Sequence, residues 1–71
     1  MDRVIELRHL HKADAGIAAA RDRIERQTAL IARLENHGGD ADTARSMLAT
    51  MRHSLGLMEE HRRLIMKELA R

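Results

Sequence analysis

The sequence contains no cysteine, no proline and no aromatic residue, and it has only 4 glycines. Without cysteine it forms neither a disulfide nor a zinc–thiolate site, which fits a reducing compartment. Without Phe, Tyr or Trp it offers no platform on which nucleic-acid bases could stack. There is also no run of about 18 apolar residues and no apolar leader segment near the start. We therefore expect a cytoplasmic protein that does not enter the membrane.

The residues that are present favour long helices. Hydrophobic residues make up 44% of the 71 positions and charged residues 34%. Ala, Leu, Arg, Glu and Met dominate, and all of them are strong helix formers. The 13 Lys and Arg residues are interleaved with 11 Asp and Glu residues, which leaves a net charge of +2. This composition is typical of one small helical or coiled-coil domain without a strongly basic face.

One segment, ENHGGDAD at residues 35–42, interrupts the helical pattern. Gly38 or Gly39 is suited to the left-handed position that ends a helix, and Asp40 is a natural N-cap for the next one. Asp2 is suited to cap the first helix in the same way. The sequence predicts a helix over residues 3–37, a turn over 38–40 and a helix over 41–70. So short a connection requires an all-α, antiparallel two-helix hairpin.

Both predicted helices carry apolar residues at alternating spacings of three and four, which predicts a coiled-coil seam between them. Gln27 and Arg62 are the polar interruptions. We interpret Gln27 as a register-fixing residue and Arg62 as a side chain that packs its stem and extends its guanidinium toward Asp14. The alternative for Arg62 is an anion site. The seam positions are Leu10, Ala13, Ile17, Ala20, Ile24, Gln27, Ile31 and Leu34, then Ala44, Leu48, Met51, Leu55, Met58, Arg62, Ile65 and Leu69.

The stretch ADAGIAAA at residues 13–20 has almost no side-chain bulk. Folding the chain about Gly39 places it opposite MEEHRRLI at residues 58–65, where the side chains are large. Small residues then face large ones, which preserves packing density. In this register His61 covers Gly16. The flanking positions form the complementary pairs Glu35–Arg45 and Arg21–Glu59.

One flank of the predicted hairpin is partly apolar, and the other is charged. A hairpin of this size buries one seam and a marginal core, so burial of the apolar flank is expected. A homodimer that forms a four-helix bundle is the simplest arrangement; a higher oligomer or a helix of another protein would cover the same residues. The predicted interface residues are Ile5, Gly16, Ala19, Leu30, Met47, Leu57, His61 and Leu64.

A Glu-x-x-His motif at Glu6 and His9, with Glu68 opposite, is the strongest candidate for metal binding; capping explains the aspartates of the loop set His37, Asp40 and Asp42. Carboxylate–histidine sets of this kind hold paired metal ions in helical bundles. A full site needs a second motif, which helix 2 lacks, so no metal, cofactor or catalytic residue is expected. A metal-binding bundle remains the second alternative function.

Basic residues concentrate in the half of the hairpin nearer the turn, which makes a small nucleic-acid-associated protein the first alternative. Interleaved acids dilute this set, and a solvated surface explains it as well. The residues are Arg23, Arg26, Arg33, Arg45, Arg52 and His53.

The stretches IERQTALIARLENHG (residues 24–38) and LGLMEEHRRLIMKEL (residues 55–69) resemble a group of short bacterial proteins. In that group an Ile-x-Arg-Gln helix ends in Leu-Glu-x-x-Gly, an Asp cap follows, and a second Leu- and Met-rich helix carries a His-Arg-x-Leu motif. The resemblance implies a bacterial helical hairpin and carries no activity, since none is established for the group. It is carried by residues 24, 26, 27, 34, 35, 38, 40, 61, 62 and 64. Together these observations predict a non-enzymatic oligomerisation or protein-interaction module.

Overall fold

The computed structural model describes residues 2–71, which form two helices packed side by side. Helix α1 spans Arg3–Asn36, and helix α2 spans Asp42–Leu69. They run antiparallel, so the hairpin is a narrow body of 54 × 15 × 13 Å. The described residues contain no strand. The predicted all-α class with two packed helices is therefore confirmed.

Both ends of α1 form as the sequence predicts. Asp2 is the N-cap, and its Oδ1 accepts a hydrogen bond from the Val4 amide at 2.9 Å. At the other end Gly38 has a φ of 71°, in the left-handed region. The Gly38 amide donates to the Glu35 carbonyl at 3.1 Å, and the Gly39 amide donates to the Leu34 carbonyl at 2.8 Å. This pair of bonds is a Schellman motif, which satisfies two carbonyls that the end of the helix leaves free.

The start of α2 differs from the prediction. Ala41 is the N-cap and makes no side-chain capping bond, while Asp40 lies one residue further out. The Asp40 Oδ1 still accepts from the amide of Asp42 at 2.9 Å. Ala41 is only 3% exposed and belongs to the core cluster, so its burial sets where the helix begins. The helices end at Asn36 and Leu69, each one residue earlier than predicted.

A single seam holds the two helices together. Every seam position named from the sequence is buried or half-buried. The best-packed part lies next to the connection, where Ile31, Ala41, Ala44 and Leu48 form the core cluster. Ile65 and Ile17 are buried closer to the open end, where the Arg3 guanidinium donates to the Leu69 carbonyl at 2.9 Å.

The pairing inside the seam differs from the predicted one by about one helical turn, although the long side chains of the predicted pairs Arg21–Glu59 and Glu35–Arg45 still reach each other. The Gln27 amide nitrogen donates to the Ala44 carbonyl at 2.9 Å, although Met51 was expected opposite Gln27. A Cβ placed on Gly16 would lie 3.0 Å from Met58 Cε, and no atom of His61 comes within 4 Å of it. The residue over Gly16 is thus Met58, and the expectation that His61 covers it is wrong. The reason is Ala41, which joins the seam, whereas folding symmetrically about Gly39 leaves it in the turn.

Gly38 tests the geometry of the connection. Because an L side chain in the left-handed region costs about 1 to 2 kcal/mol, we expect Gly38→Ala to lower the free energy of unfolding by that amount. Gly56 is the matched control, since it lies within α2 and a Cβ there meets nothing within 4 Å. Gly56→Ala should raise the free energy of unfolding by about 0.5 to 1 kcal/mol. Urea denaturation at one fixed protein concentration measures both, and equal effects of the two substitutions would contradict this description of the turn.

Gln27 tests the seam, because it is the one buried polar residue in the described chain. Gln27→Ala removes the bond to the Ala44 carbonyl and leaves a cavity, so we expect a loss of about 2 to 4 kcal/mol in unfolding free energy. Gln27→Leu keeps the volume and leaves no buried group without a partner. That variant should stay within about 1 kcal/mol of the parent. An alanine variant as stable as the leucine variant would show that Gln27 is not packed in the seam.

Candidate interaction surface

The two sides of the seam are chemically different. On one side, named here the ion-paired side, three bridges join the helices. Arg21 Nη2 lies 3.0 Å from Glu59 Oε2, and Arg45 Nη2 lies 3.1 Å from Glu35 Oε2. Both were predicted from the sequence and are confirmed. The third bridge joins the Arg62 and Asp14 side chains. Such exposed pairs contribute about 0 to 1 kcal/mol each, so they fix the helices in place more than they stabilise them.

On the opposite side, within residues 2–71, no side-chain hydrogen bond or ion pair crosses between the helices. We name this side the open face. It consists of two strips of residues at spacings of three and four, which lie on one side of each helix. The α1 strip is Lys12, Gly16, Ala19, Arg23, Arg26, Leu30 and Arg33; the α2 strip is Met47, Thr50, Ser54, Leu57, His61 and Leu64.

Three shallow grooves follow the open face between the two strips. The first groove lies near the chain termini, and Ala13 and Met58 form its base. Ala20 and Met51 form the base of the middle groove, and Leu34 forms the base of the groove near the connection. No carboxylate lines any of the three. Their rims are Lys12, Gly16, Ser54, Leu57 and His61, then Arg23, Thr50 and Ser54, and finally Leu30, Arg33, His37 and Gly39. The three grooves are therefore largely apolar, and the only charged groups that line them are basic.

Large apolar side chains stand in solvent along the α2 strip. Leu57 is 61% exposed, Met47 is 49% exposed, and Leu64 is 47% exposed. Contiguous exposed apolar residues with a polar rim are typical of protein-interaction surfaces. Of the other exposed large apolar residues, Ile5 extends the open face along α1, whereas Val4, Leu7 and Met66 lie outside it.

Charge is divided unequally between the strips. Lys12, Arg23 and Arg33 belong to α1, and none of them makes an ion pair with any residue from 2 to 71. The α2 strip from Met47 to Leu64 contains no Asp, Glu, Lys or Arg. A basic strip thus lies beside a neutral, largely apolar one.

All eight predicted interface residues lie on this face or extend it by helical spacing. Gly16 and Leu30 are half-buried at the edge of the seam, and the other six are exposed. Lys12, Thr50 and Ser54 also lie on the open face but are not among the eight predicted interface residues. Their spacing from Gly16 and Leu57 was the signal that could have included them.

The predicted metal candidate forms only in part. Glu6 Oε1 lies 3.4 Å from His9 Nδ1, but the nearest cationic partner of Glu68 is Arg71, whose Nη1 lies 3.7 Å from Glu68 Oε1. Nowhere in residues 2–71 do three His, Asp or Glu side chains converge in a way that could hold a metal ion. Glu6 instead lies half-buried at the end of the seam.

The six basic residues named for nucleic-acid binding do not form one patch. Arg26 is paired with Asp22 at 2.7 Å, and Arg45 belongs to the ion-paired side. Arg23, Arg26 and Arg33 lie on the open face, and of these only Arg26 has an ionic partner within residues 2–71. The structure therefore divides the set between two surfaces.

The titration of one surface pair departs from ordinary behaviour. The Arg63 guanidinium hydrogen-bonds both oxygens of Glu60, at 2.7 and 3.0 Å. This hydrogen bonding, aided by the attraction between the two opposite charges, lowers the pKa of Glu60 and raises the pKa of Arg63. The pair lies one turn apart on the solvent side of α2, away from the grooves, so it plays no part in the chemistry of the open face.

The chain matches no protein-family model, and no match was found among curated proteins or among solved structures. Neither helix of the described chain has an apolar stretch sufficient to cross a lipid bilayer. Function is therefore inferred from the open face.

Gly16 lies where the seam meets the open face, and a larger side chain there must displace Met58. Because the atom it meets is the end of a flexible side chain, we expect Gly16→Leu to lower the free energy of unfolding by no more than about 1 kcal/mol, in spite of the better helix propensity of leucine. Adding Met58→Ala should restore part of the loss, because it removes the atom that the leucine meets. A double-mutant cycle by thermal denaturation measures this coupling. A melting temperature that rises in Gly16→Leu would contradict the close contact.

Proposed function

We propose that this protein is a non-enzymatic oligomerisation module. Two copies associate through their open faces and form a homodimeric four-helix bundle in the cytoplasm. The interface comprises the α1 and α2 strips together with Ile5. No cofactor or metal takes part.

The observation that carries this proposal is the exposure of Leu57, Leu64 and Met47 on the side where no polar bond crosses between the helices. Burying a fully exposed Leu or Met side chain contributes about 1.5 to 3 kcal/mol, and roughly half of that is still available for each of these half-exposed residues. The hairpin gains little elsewhere, since its core is one seam with few buried residues. Association that removes the apolar side chains of the open face from water would therefore stabilise the protein.

The chemistry of the open face also favours binding over catalysis. Its groups are alkyl chains, hydroxyls, guanidinium and ammonium groups, and imidazoles, with no carboxylate in the grooves. A general acid or base pair of carboxylates has no counterpart there. Alkyl chains at helical spacing, with hydroxyl and basic groups beside them, are suited to packing against another helix.

A second candidate is association with a nucleic acid or another polyanion. It is favoured by Lys12, Arg23 and Arg33, which form a basic strip without ionic partners in the described chain. Phosphate contacts of this kind would weaken steeply as salt rises. The absence of aromatic residues removes base stacking as a source of affinity.

Sedimentation equilibrium on the intact protein tests the proposal. We expect a mass twice that of the monomer, and Leu57→Gln combined with Leu64→Gln should shift the equilibrium to monomer. Gln removes the apolar surface without adding charge and preserves helix propensity. Circular dichroism is the check that the variant remains helical.

Met66→Gln is the matched control, since Met66 is 42% exposed, lies two residues from Leu64 and is on the ion-paired side. It should leave the dimer intact. A parent protein that is monomeric at high concentration would overturn the proposal. Salt-sensitive retardation of DNA or RNA by that monomer would favour the second candidate in its place.

A further inference from the structure

We infer that the second copy docks side by side in the same direction, with α1 of each hairpin lying on α2 of the other and both connections at one end. This inference rests on the proposed function, because it specifies how the two open faces meet. Such a dimer has its two-fold axis along the length of the bundle.

The separation of charge between the two strips is the first argument. The α1 strip carries Lys12, Arg23, Arg26 and Arg33, while the α2 strip has no Asp, Glu, Lys or Arg from Met47 to Leu64. When α1 faces α2 of the second copy, each cation meets neutral side chains. Arg23 then meets the hydroxyl-bearing part of the α2 strip, where Thr50 and Ser54 lie, and hydroxyl oxygens accept hydrogen bonds from guanidinium groups.

The inverted arrangement lacks this complementarity. If the second copy is turned end over end, α1 lies on α1 and α2 lies on α2. Two basic strips then run side by side, with no carboxylate in the grooves to compensate them. Like charges at such an interface oppose association.

Side-chain size is the second argument, and it depends on the observed register. Lys12, Gly16, Leu57 and His61 line one groove, so these parts of α1 and α2 lie at the same height along the hairpin. A two-fold axis along the bundle keeps heights unchanged. The small residues Gly16 and Ala19 therefore meet the large Leu57 and His61 of the second copy.

The same rule applies at the end near the connection. Leu30 rims the groove there, and Met47 lies on α2 on the same side of the hairpin. With heights preserved, Leu30 of one copy lies close to Met47 of the other. The small side chains of residues 13–20 thus leave room both for Met58 of the same chain and for a helix of the second copy. In this arrangement all neighbouring helices run antiparallel.

Disulfide trapping tests the arrangement, because the chain has no cysteine of its own. Two single variants, Ala19→Cys and Ser54→Cys, place nearly isosteric thiols on the two strips. They are mixed in equal amounts, allowed to exchange subunits and mildly oxidised, and intact dimers are weighed by mass spectrometry. We expect the disulfide between the two different variants to form in more than the proportion that random pairing gives, and we expect neither variant to form a disulfide with itself.

Ala18→Cys and Ala49→Cys form the matched control pair, since both residues are exposed on the ion-paired side. That pair should give no disulfide dimer. Homodisulfides of Ser54→Cys from a dimeric protein would show α2 on α2 and overturn the arrangement while the proposed function stands. A dimer that gives no disulfide from the test pair would overturn the arrangement as well. A monomeric mass for the parent protein would overturn the proposed function itself.

Discussion

One seam between two helices supplies nearly all the burial in this hairpin, and the rest of the structure depends on it. With no aromatic residue and with many alanines, the seam is thin, and its best-packed part is the cluster around Ile31 and Leu48. Because so little apolar surface is buried, polar contacts help to set the register of the two helices, which packing alone would set in a larger core. The hydrogen bond from Gln27 to the Ala44 carbonyl and the three bridges of the ion-paired side hold the helices in one register.

Much of the fold could be predicted from the sequence because long amphipathic helices leave regular patterns. Every position that the alternating spacing assigned to the seam is buried or half-buried, although Ala41 was not among them. Asp2 and Gly38 marked the ends of α1, because the conformations there suit few other residues. The register was predicted incorrectly by about one turn. Spacing fixes which side of a helix is buried, but the height at which two helices meet depends on how the connection folds. Here Ala41, a residue with no capping side chain, is buried ahead of α2 and shifts the pairing.

The same reasoning explains what could be predicted of the open face. Its apolar members share one side of each helix, so they can be grouped from the sequence before any contact is known. The division into a basic strip and a neutral strip could not be predicted in this way. It depends on which arginines are already paired: Arg21, Arg45 and Arg62 are used within the hairpin, whereas Arg23 and Arg33 make no ion pair within residues 2–71. The ionic partners of a long side chain depend on geometry that residue spacing alone does not contain.

The bond between Arg3 and the Leu69 carbonyl has a consequence for larger assemblies. It holds the first turn of α1 against the last turn of α2, so both ends of the described chain emerge at the pole opposite the glycine connection. In a bundle whose two-fold axis runs along its length, four such ends gather at that one pole. In the proposed dimer, polypeptide attached to either end would therefore extend from that pole and leave the sides of the bundle clear.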